Sequence, residues 1–323
     1  MKIALTGGGN VYARNLARHL HALGIEHFGI GRNGPKPRAL WQIDHDYPYH
    51  VIHMVEHLDL LLEFLDRERP DVVVNFAAQG ESAASFGEHT DYYYATNTLG
   101  LVRFAEALRK RDYIKRFIQA GTSECYGATA RPAREDDPLK PTSPYAISKA
   151  AFDLHLQVMH RVHGFPVNIL RPSNCYCPGQ QLHRIIPRTV VCALSGRKLQ
   201  LQGGGAVQKS YMHADDLSRA VLSVIENGTP GAIYNCGPQF PLRIIDLVRL
   251  TIAACGCRFE DVVQFVPGRI GEDAVYWLDS STLETLTGWA PSVRLTDGLA
   301  DMAQWVRDYP EVMAMDATYR IAA

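Results

Sequence analysis

Lys2-Ile-Ala-Leu-Thr-Gly-Gly-Gly-Asn-Val-Tyr-Ala13 is the stretch that decides the fold. Lys2–Leu5 reads as a short apolar strand, and Tyr12–Leu23 as an amphipathic helix ended by Gly24. The turn between them stands where a dinucleotide-binding loop belongs. Glycines there let backbone amides approach a pyrophosphate at a helix N-terminus. Against the usual spacing, the second glycine is Asn10 and the third is Ala13. Asn tolerates positive φ better than other non-glycine residues, so position 10 is expected to keep the loop's backbone shape. Gly7, Gly9, Asn10, Val11 and Tyr12 are the candidate cofactor contacts of this loop.

Outward from the loop, short apolar runs alternate with amphipathic stretches, the pattern of βαβ units and a parallel sheet. Strands are expected at His27–Ile30, Asp71–Phe76, Arg116–Ala120 and Val167–Arg171, and helices at Leu58–Arg67, Asp91–Arg111 and Pro144–His163. The Val-Val-Val run in Asp71–Phe76 points to a strand buried on both faces. The fold class is therefore α/β, a Rossmann-type doubly wound parallel sheet. Beyond residue 170 glycine- and proline-containing loops interrupt shorter elements. Residues 1–170 are expected to form the dinucleotide-binding domain. Residues 171–323 are expected to form mainly a smaller, discontinuous substrate domain, with some segments returning to the first. The second strand ends Gly29-Ile-Gly-Arg-Asn33, without the acid that bonds the adenosine ribose of NAD. Arg32 points instead to a 2′-phosphate and NADP, with NAD left open.

Composition excludes several classes. At 323 residues, 46% apolar and a net charge of −1, the chain has no electrostatic footprint for nucleic acid or a membrane surface. No apolar run reaches membrane-spanning length, and a cytoplasmic location is expected. The seven cysteines do not resemble a small disulfide scaffold. Cys175/Cys177 and Cys255/Cys257 are spaced too closely for the usual zinc pattern, so no metal is expected.

The chemistry concentrates in Gly121-Thr-Ser-Glu-Cys-Tyr-Gly127 and Ser143-Pro-Tyr-Ala-Ile-Ser-Lys149. Tyr145 and Lys149 are four apart and share one helix face. An ammonium beside a phenol favours the phenolate, a general base. Thr122 adds a hydroxyl and Glu124 a carboxylate. Oxidation alone needs no such carboxylate, so a second proton abstraction is expected.

Taken together, the chain resembles the extended short-chain dehydrogenase/reductases that act on nucleotide sugars. The likeness runs from Lys2 to about Trp305. It rests on the Thr-Gly-Gly loop, Asn75-Phe-Ala-Ala-Gln79, Asn97-Thr-Leu-Gly100, Thr122–Gly127, Tyr145-x-x-x-Lys149 and Arg171-Pro-Ser-Asn174. Ile186-Pro187, Gly205–Asp216 and Arg269-Ile-Gly-Glu272 continue it. Thr-Ser-Glu-x-Tyr-Gly with Ser-Pro-Tyr-Ala-x-x-Lys looks most like the GDP-mannose 4,6-dehydratases, whereas dTDP-glucose dehydratases carry Asp-Glu at Ser123-Glu124. Two positions depart from the pattern: Met54 replaces an aspartate that bonds adenine, and Lys209 replaces an arginine.

The resemblance implies oxidation at C4 of a hexose, water elimination across C5–C6, and hydride return to C6. Tyr145 would remove the 4-hydroxyl proton, Lys149 would support it and bond the cofactor ribose, and Thr122 would bond the same oxygen. Glu124 would take the C5 proton. The proton for the leaving 6-hydroxyl would come from Glu124 or through Ser123, a choice left open. Ala77 and Ala78 would line the cofactor. Gln79, Ser85, Asn174, Ile186, Lys209 and Arg269 would hold a nucleotide-diphosphate sugar. Asp216 is expected to cap a helix Leu217–Glu226, and Asn97 to bond backbone beside the active-site strand. The helices Asp91–Arg111 and Pro144–His163 would form the interface of a homodimer or higher homo-oligomer. A nucleotide-uronate decarboxylase or a 4-epimerase of the same family is the alternative enzyme. A non-catalytic dinucleotide sensor or scaffold is the alternative of another class.

Overall fold

The computed structural model describes residues 1–268 and 275–318. Lys2–Thr6 (β1), Glu26–Gly31 (β2) and Tyr49–Val51 (β3) form one half of a parallel sheet. Val72–Asn75 (β4), Arg116–Ala120 (β5), Val167–Pro172 (β6) and a late strand, Ile233–Cys236, form the other. Among the described residues the sheet has seven strands, ordered Ile233–Cys236, β6, β5, β4, β1, β2, β3. The order reverses direction between β1 and β4. Ligands of such sheets bind outside the strands' carboxyl ends at that point.

Side-chain alternation along β4 assigns the two faces. Val72 and Val74 join Leu16 and Leu20 of Val11–Ala22 (α1) in one core, while Val73 joins Leu61 and Leu65 on the other side. Each strand residue is thus covered whichever way it points, which is why the run is continuously apolar. The helices Leu58–Glu68, Leu101–Leu108 and Pro144–His163 cover the second face. A smaller lobe packs Ile185–Ser195, Ile244–Ala254 and Leu295–Asp308 around Val190, Leu247, Val248, Leu299 and Met302.

Two expectations are corrected. The single helix Asp91–Arg111 is an α-turn (Thr90–Tyr94), a widened π-type segment (Ala95–Gly100) and a second α-helix (Leu101–Leu108). The widened turn holds Asn97, which is fully buried. Its side chain accepts from the Gln79 amide at 2.7 Å and donates to the Gln79 carbonyl and Ser148 Oγ at 3.0 Å each. π-turns recur where a helix must aim a residue off its regular face. Asn97 therefore bonds backbone beside the site, as expected.

The second correction concerns Asp216. It lies inside the helix Ala214–Asn227, whose cap is His213. Its buried carboxylate accepts from the Ser292 and Val293 amides at 3.1 and 3.3 Å and pairs with Arg219. The acid at that position ties the C-terminal segment to this helix.

Arg171 and Asp153 form an ion pair at 3.1 Å with both side chains 1% exposed. Arg171 also donates to the Tyr126 hydroxyl at 2.8 Å, and Tyr126 donates to Asn235 Oδ1 at 2.9 Å. Removing one partner of such a pair strands the other charge. Arg171→Ala is expected to lose about 3–5 kcal/mol of unfolding free energy in urea titration. A loss below about 1 kcal/mol would show that the pair is structurally idle.

Candidate active site

A cleft of about 820 Å³ opens at the carboxyl ends of the central strands, between the sheet and the smaller lobe. Asn10, Tyr12, Arg32, Ala78, Gln79, Thr122, Ser123, Glu124, Tyr145, Lys149, Asn174, Ile186 and Lys209 all line it. Residues separated by up to two hundred positions thus share one wall-to-wall space. Gly7, Gly9, Val11 and Ala77 are not among the residues that line it. Ser85 is fully buried and donates to the Ser82 carbonyl at 2.6 Å, so it shapes a turn and does not face the cleft. Arg269 lies outside the described residues.

The loop after β1 fits a dinucleotide. Gly7 has φ 68°, and a Cβ there would sit 2.5 Å from the Ala77 amide nitrogen, so only glycine is accommodated. Asn10 departs from expectation: its φ is −70°, and it keeps its place as a cap. Its Oδ1 accepts from the Tyr12 amide at 3.0 Å, which satisfies one free donor of α1. A short polar chain joins the strand ends below: Thr6 donates to Asn75 at 2.6 Å and Asn75 donates to Gln119 at 2.7 Å.

β5 delivers the reactive segment. Its end turns at once into a single helical turn, Ser123–Tyr126, capped by Thr122, whose Oγ1 accepts from the Glu124 amide at 3.3 Å. The opposite wall is the N-terminus of Pro144–His163, capped by Ser143 with Pro144 at its first position. Thr122 is hydrogen-bonded to the Tyr145 phenol. Ser82 Oγ lies 2.8 Å from Ser143 Oγ and also reaches Glu124.

Burial sets the electrostatics. It lowers the Lys149 ammonium to about 8, opposed by Asp153, while Lys149 Nζ donates to the Ala120 carbonyl at 2.7 Å. Burial also raises the Tyr145 phenol, and the neighbouring Glu124 raises it further. The expected lysine-depressed phenol is therefore not what the protein alone provides. Lys149 is held against backbone, one helical turn from Tyr145. Glu124 is pushed above the ordinary carboxylate range by burial, against the pull of Lys209, Ser82 and Arg184. A carboxylate kept there is a stronger base than one in water.

Sequence reasoning missed Glu81, His183 and Arg184, which form a polar cluster lining the same cleft. Glu81 Oε2 lies 3.2 Å from the Arg184 guanidinium and 3.3 Å from His183 Nε2. Nothing in their spacing announces this, because a loop after β4 and the turn before Ile185–Ser195 meet only in the folded chain. Lys209, expected at the nucleotide, sits 5.0 Å over the Tyr276 ring and within electrostatic reach of Glu124. Asn174 donates to the Ser210 carbonyl at 3.4 Å.

A glycine loop at the sheet's switch point, with a Thr–Glu–Tyr–Lys constellation lining the same cleft, defines an enzyme of the dinucleotide-dependent short-chain type. The chain belongs to the NAD dependent epimerase/dehydratase family, whose model matches residues 3–237. A dTDP-glucose 4,6-dehydratase of Streptomyces niveus is 33% identical over 239 residues, which is 74% of this chain and 70% of that protein. The human dTDP-D-glucose 4,6-dehydratase is 32% identical over 251 residues, 75% of this chain and 70% of that one. The crystal structure of dTDP-glucose 4,6-dehydratase from Streptomyces venezuelae, with NAD bound, superposes with a TM-score of 0.87 at 30% identity. It covers 95% of this chain and 97% of the other. All three are named for dTDP-glucose and not for GDP-mannose. Among the described residues no helix is long and apolar enough to cross a membrane.

Proposed function

We propose that this enzyme is a nucleotide-hexose 4,6-dehydratase in which Thr122, Glu124, Tyr145 and Lys149 carry the reaction. The observation behind this reading is a half-buried Glu124 that lines the cleft together with Tyr145. A simple 4-epimerase or a reductase removes no carbon-bound proton and has no use for such a base. Tyr145 accepts the proton of the sugar 4-hydroxyl, and Thr122, bonded to the phenol, orients the same oxygen. Lys149, held on the Ala120 carbonyl one helical turn from Tyr145, bonds the cofactor ribose and, once the dinucleotide is bound, favours the phenolate from which Tyr145 acts. The dinucleotide, when bound, supplies the hydride acceptor for C4 and the donor for C6. Once C4 is a ketone the C5 proton is acidic. Glu124 removes it, and Glu124 or Ser123 delivers a proton to the departing 6-hydroxyl; after hydride return to C6, C5 takes up a proton from solvent.

Gly7, Gly9, Asn10, Val11 and Tyr12 hold the pyrophosphate, and Ala77 and Ala78 line the nicotinamide side. Gln79, Asn174, Ile186 and Lys209 face the nucleotide sugar. The relatives' names make dTDP-glucose and UDP-glucose the first substrates to try, with GDP-mannose beside them. The test is incubation of the purified enzyme with each, followed by assay of the 4-keto-6-deoxy product through its absorbance in alkali. Product from at least one supports the reading. CO₂ release from UDP-glucuronate with no keto product from any hexose overturns it.

For the cofactor we infer NADP. Arg32 directly follows β2 and lines the cleft, and the strand end Gly29-Ile-Gly-Arg-Asn33 carries no acid to repel a 2′-phosphate. Arg32→Ala is expected to weaken NADP binding about tenfold, the worth of one charged hydrogen bond, and NAD binding less than about twofold. Equal losses for both would return the assignment to NAD. Leu99, Leu154, Val158 and Val162 are exposed on the Ala95–Gly100 segment and on Pro144–His163. These exposed apolar side chains support a homodimer through those helices.

A further inference from the structure

Glu81 combines three properties that a surface carboxylate lacks. Its backbone is held at φ 70°, ψ 94°, outside the regions a non-glycine residue ordinarily occupies. Its carboxylate is shared by Arg184 and His183, and its carbonyl accepts from the Tyr93 hydroxyl at 3.0 Å. Tyr93 in turn stacks edge-on against Tyr145 at 6.4 Å. The next residue, Ser82, bonds Ser143 and Glu124. Backbone strain kept by this many partners marks a geometry the site requires.

Arg184 explains the requirement. Its guanidinium acts on Tyr12, Tyr145 and Glu124 through space. Unbalanced, that charge would pull Glu124 down toward the ordinary carboxylate range and weaken it as a base. We propose that Glu81 is a positioning residue that locks Arg184 beside the reacting groups and cancels its charge on Glu124. The inference rests on the dehydratase reading, since only there is Glu124 the C5 base. The groups facing Glu124 are Lys209, Arg184, Glu81 and, across the cleft, Tyr145. Of these Glu81 alone can offset Arg184 through a direct ion pair.

The test uses Glu81→Gln, Glu81→Asp and the double variant Glu81→Gln/Arg184→Gln. Glu124 ionisation is followed by infrared difference spectra against Glu124→Gln, a readout that needs no turnover. The kcat/KM–pH profile is measured with dTDP-glucose. Glu81→Gln is expected to move the Glu124 midpoint and the acidic limb of the profile down by about one pH unit. It should also lower kcat about tenfold on the plateau. Glu81→Asp, which keeps the charge, stays near wild type, and the double variant returns the midpoint upward. A midpoint unmoved in Glu81→Gln, or displaced further in the double variant, overturns the inference. A wild type that gives no keto product from any of the nucleotide hexoses overturns the dehydratase reading instead, and the infrared result stands apart from it.

Discussion

Tyr145→Phe is expected to lower kcat about 10³-fold, the scale of losing a positioned general base. Substrate affinity should change only a few-fold, because the ring stays in place. Tyr93 packs edge-on against it, and the helix that carries it is capped by Ser143 independently of the phenol. Single-turnover mixing should show no reduced cofactor by near-ultraviolet absorbance. The loss therefore falls on the first chemical step. If the variant keeps more than about a tenth of the wild-type rate, Thr122 or water takes the 4-hydroxyl proton and the role of Tyr145 is lost.

Glu124→Gln separates the two halves of the reaction. Overall turnover should fall about 10³-fold, while C4 oxidation persists and reduced cofactor accumulates. Deuterium from solvent should no longer enter at C5. A variant that still exchanges at C5 removes Glu124 from the mechanism.

The same substitution carries a stability signature of definite sign. Burial raises the folded-state carboxyl above its unfolded value, so the native state holds the proton more tightly. Stability is then intact below the ordinary carboxylate range and declines as pH rises through the raised value. Glutamine removes that penalty. Its Tm should exceed wild type at about pH 8 and match it at about pH 4. A base held ready for catalysis thus weakens the fold that holds it.

Much of this was legible in the chain itself. The strands β1, β2, β4, β5 and β6 were readable because runs such as Val72–Val74 are apolar for a local reason, burial on both faces. Tyr145 and Lys149 were readable because a four-residue spacing has one meaning on a helix. Features made by long-range approach were not. The Glu81–Arg184 pair joins residues about a hundred positions apart, and no periodicity encodes it. Asp216 looked like a cap because acids before a helix usually are, yet its true partners, Ser292 and Val293, lie far along the chain. Asn10 was correctly placed in the loop for a mistaken reason: its side chain caps, and its backbone is ordinary. The widened turn at Ala95–Gly100 escaped notice because its demand comes from Gln79, outside the helix altogether.

The strand Ile233–Cys236 has a consequence for biosynthesis. It completes the sheet by pairing Ile233 with Ile169 and Tyr234 with Leu170. As the chain emerges from the ribosome, β6 waits with an unpaired, apolar edge until the smaller lobe's first half has also been made. Non-local parallel pairing of this kind is slow, and bare strand edges are where nascent chains stick to one another. The nascent protein passes through an interval of exposure that chaperones are suited to cover. A fragment ending near residue 172 would remain in that interval for good.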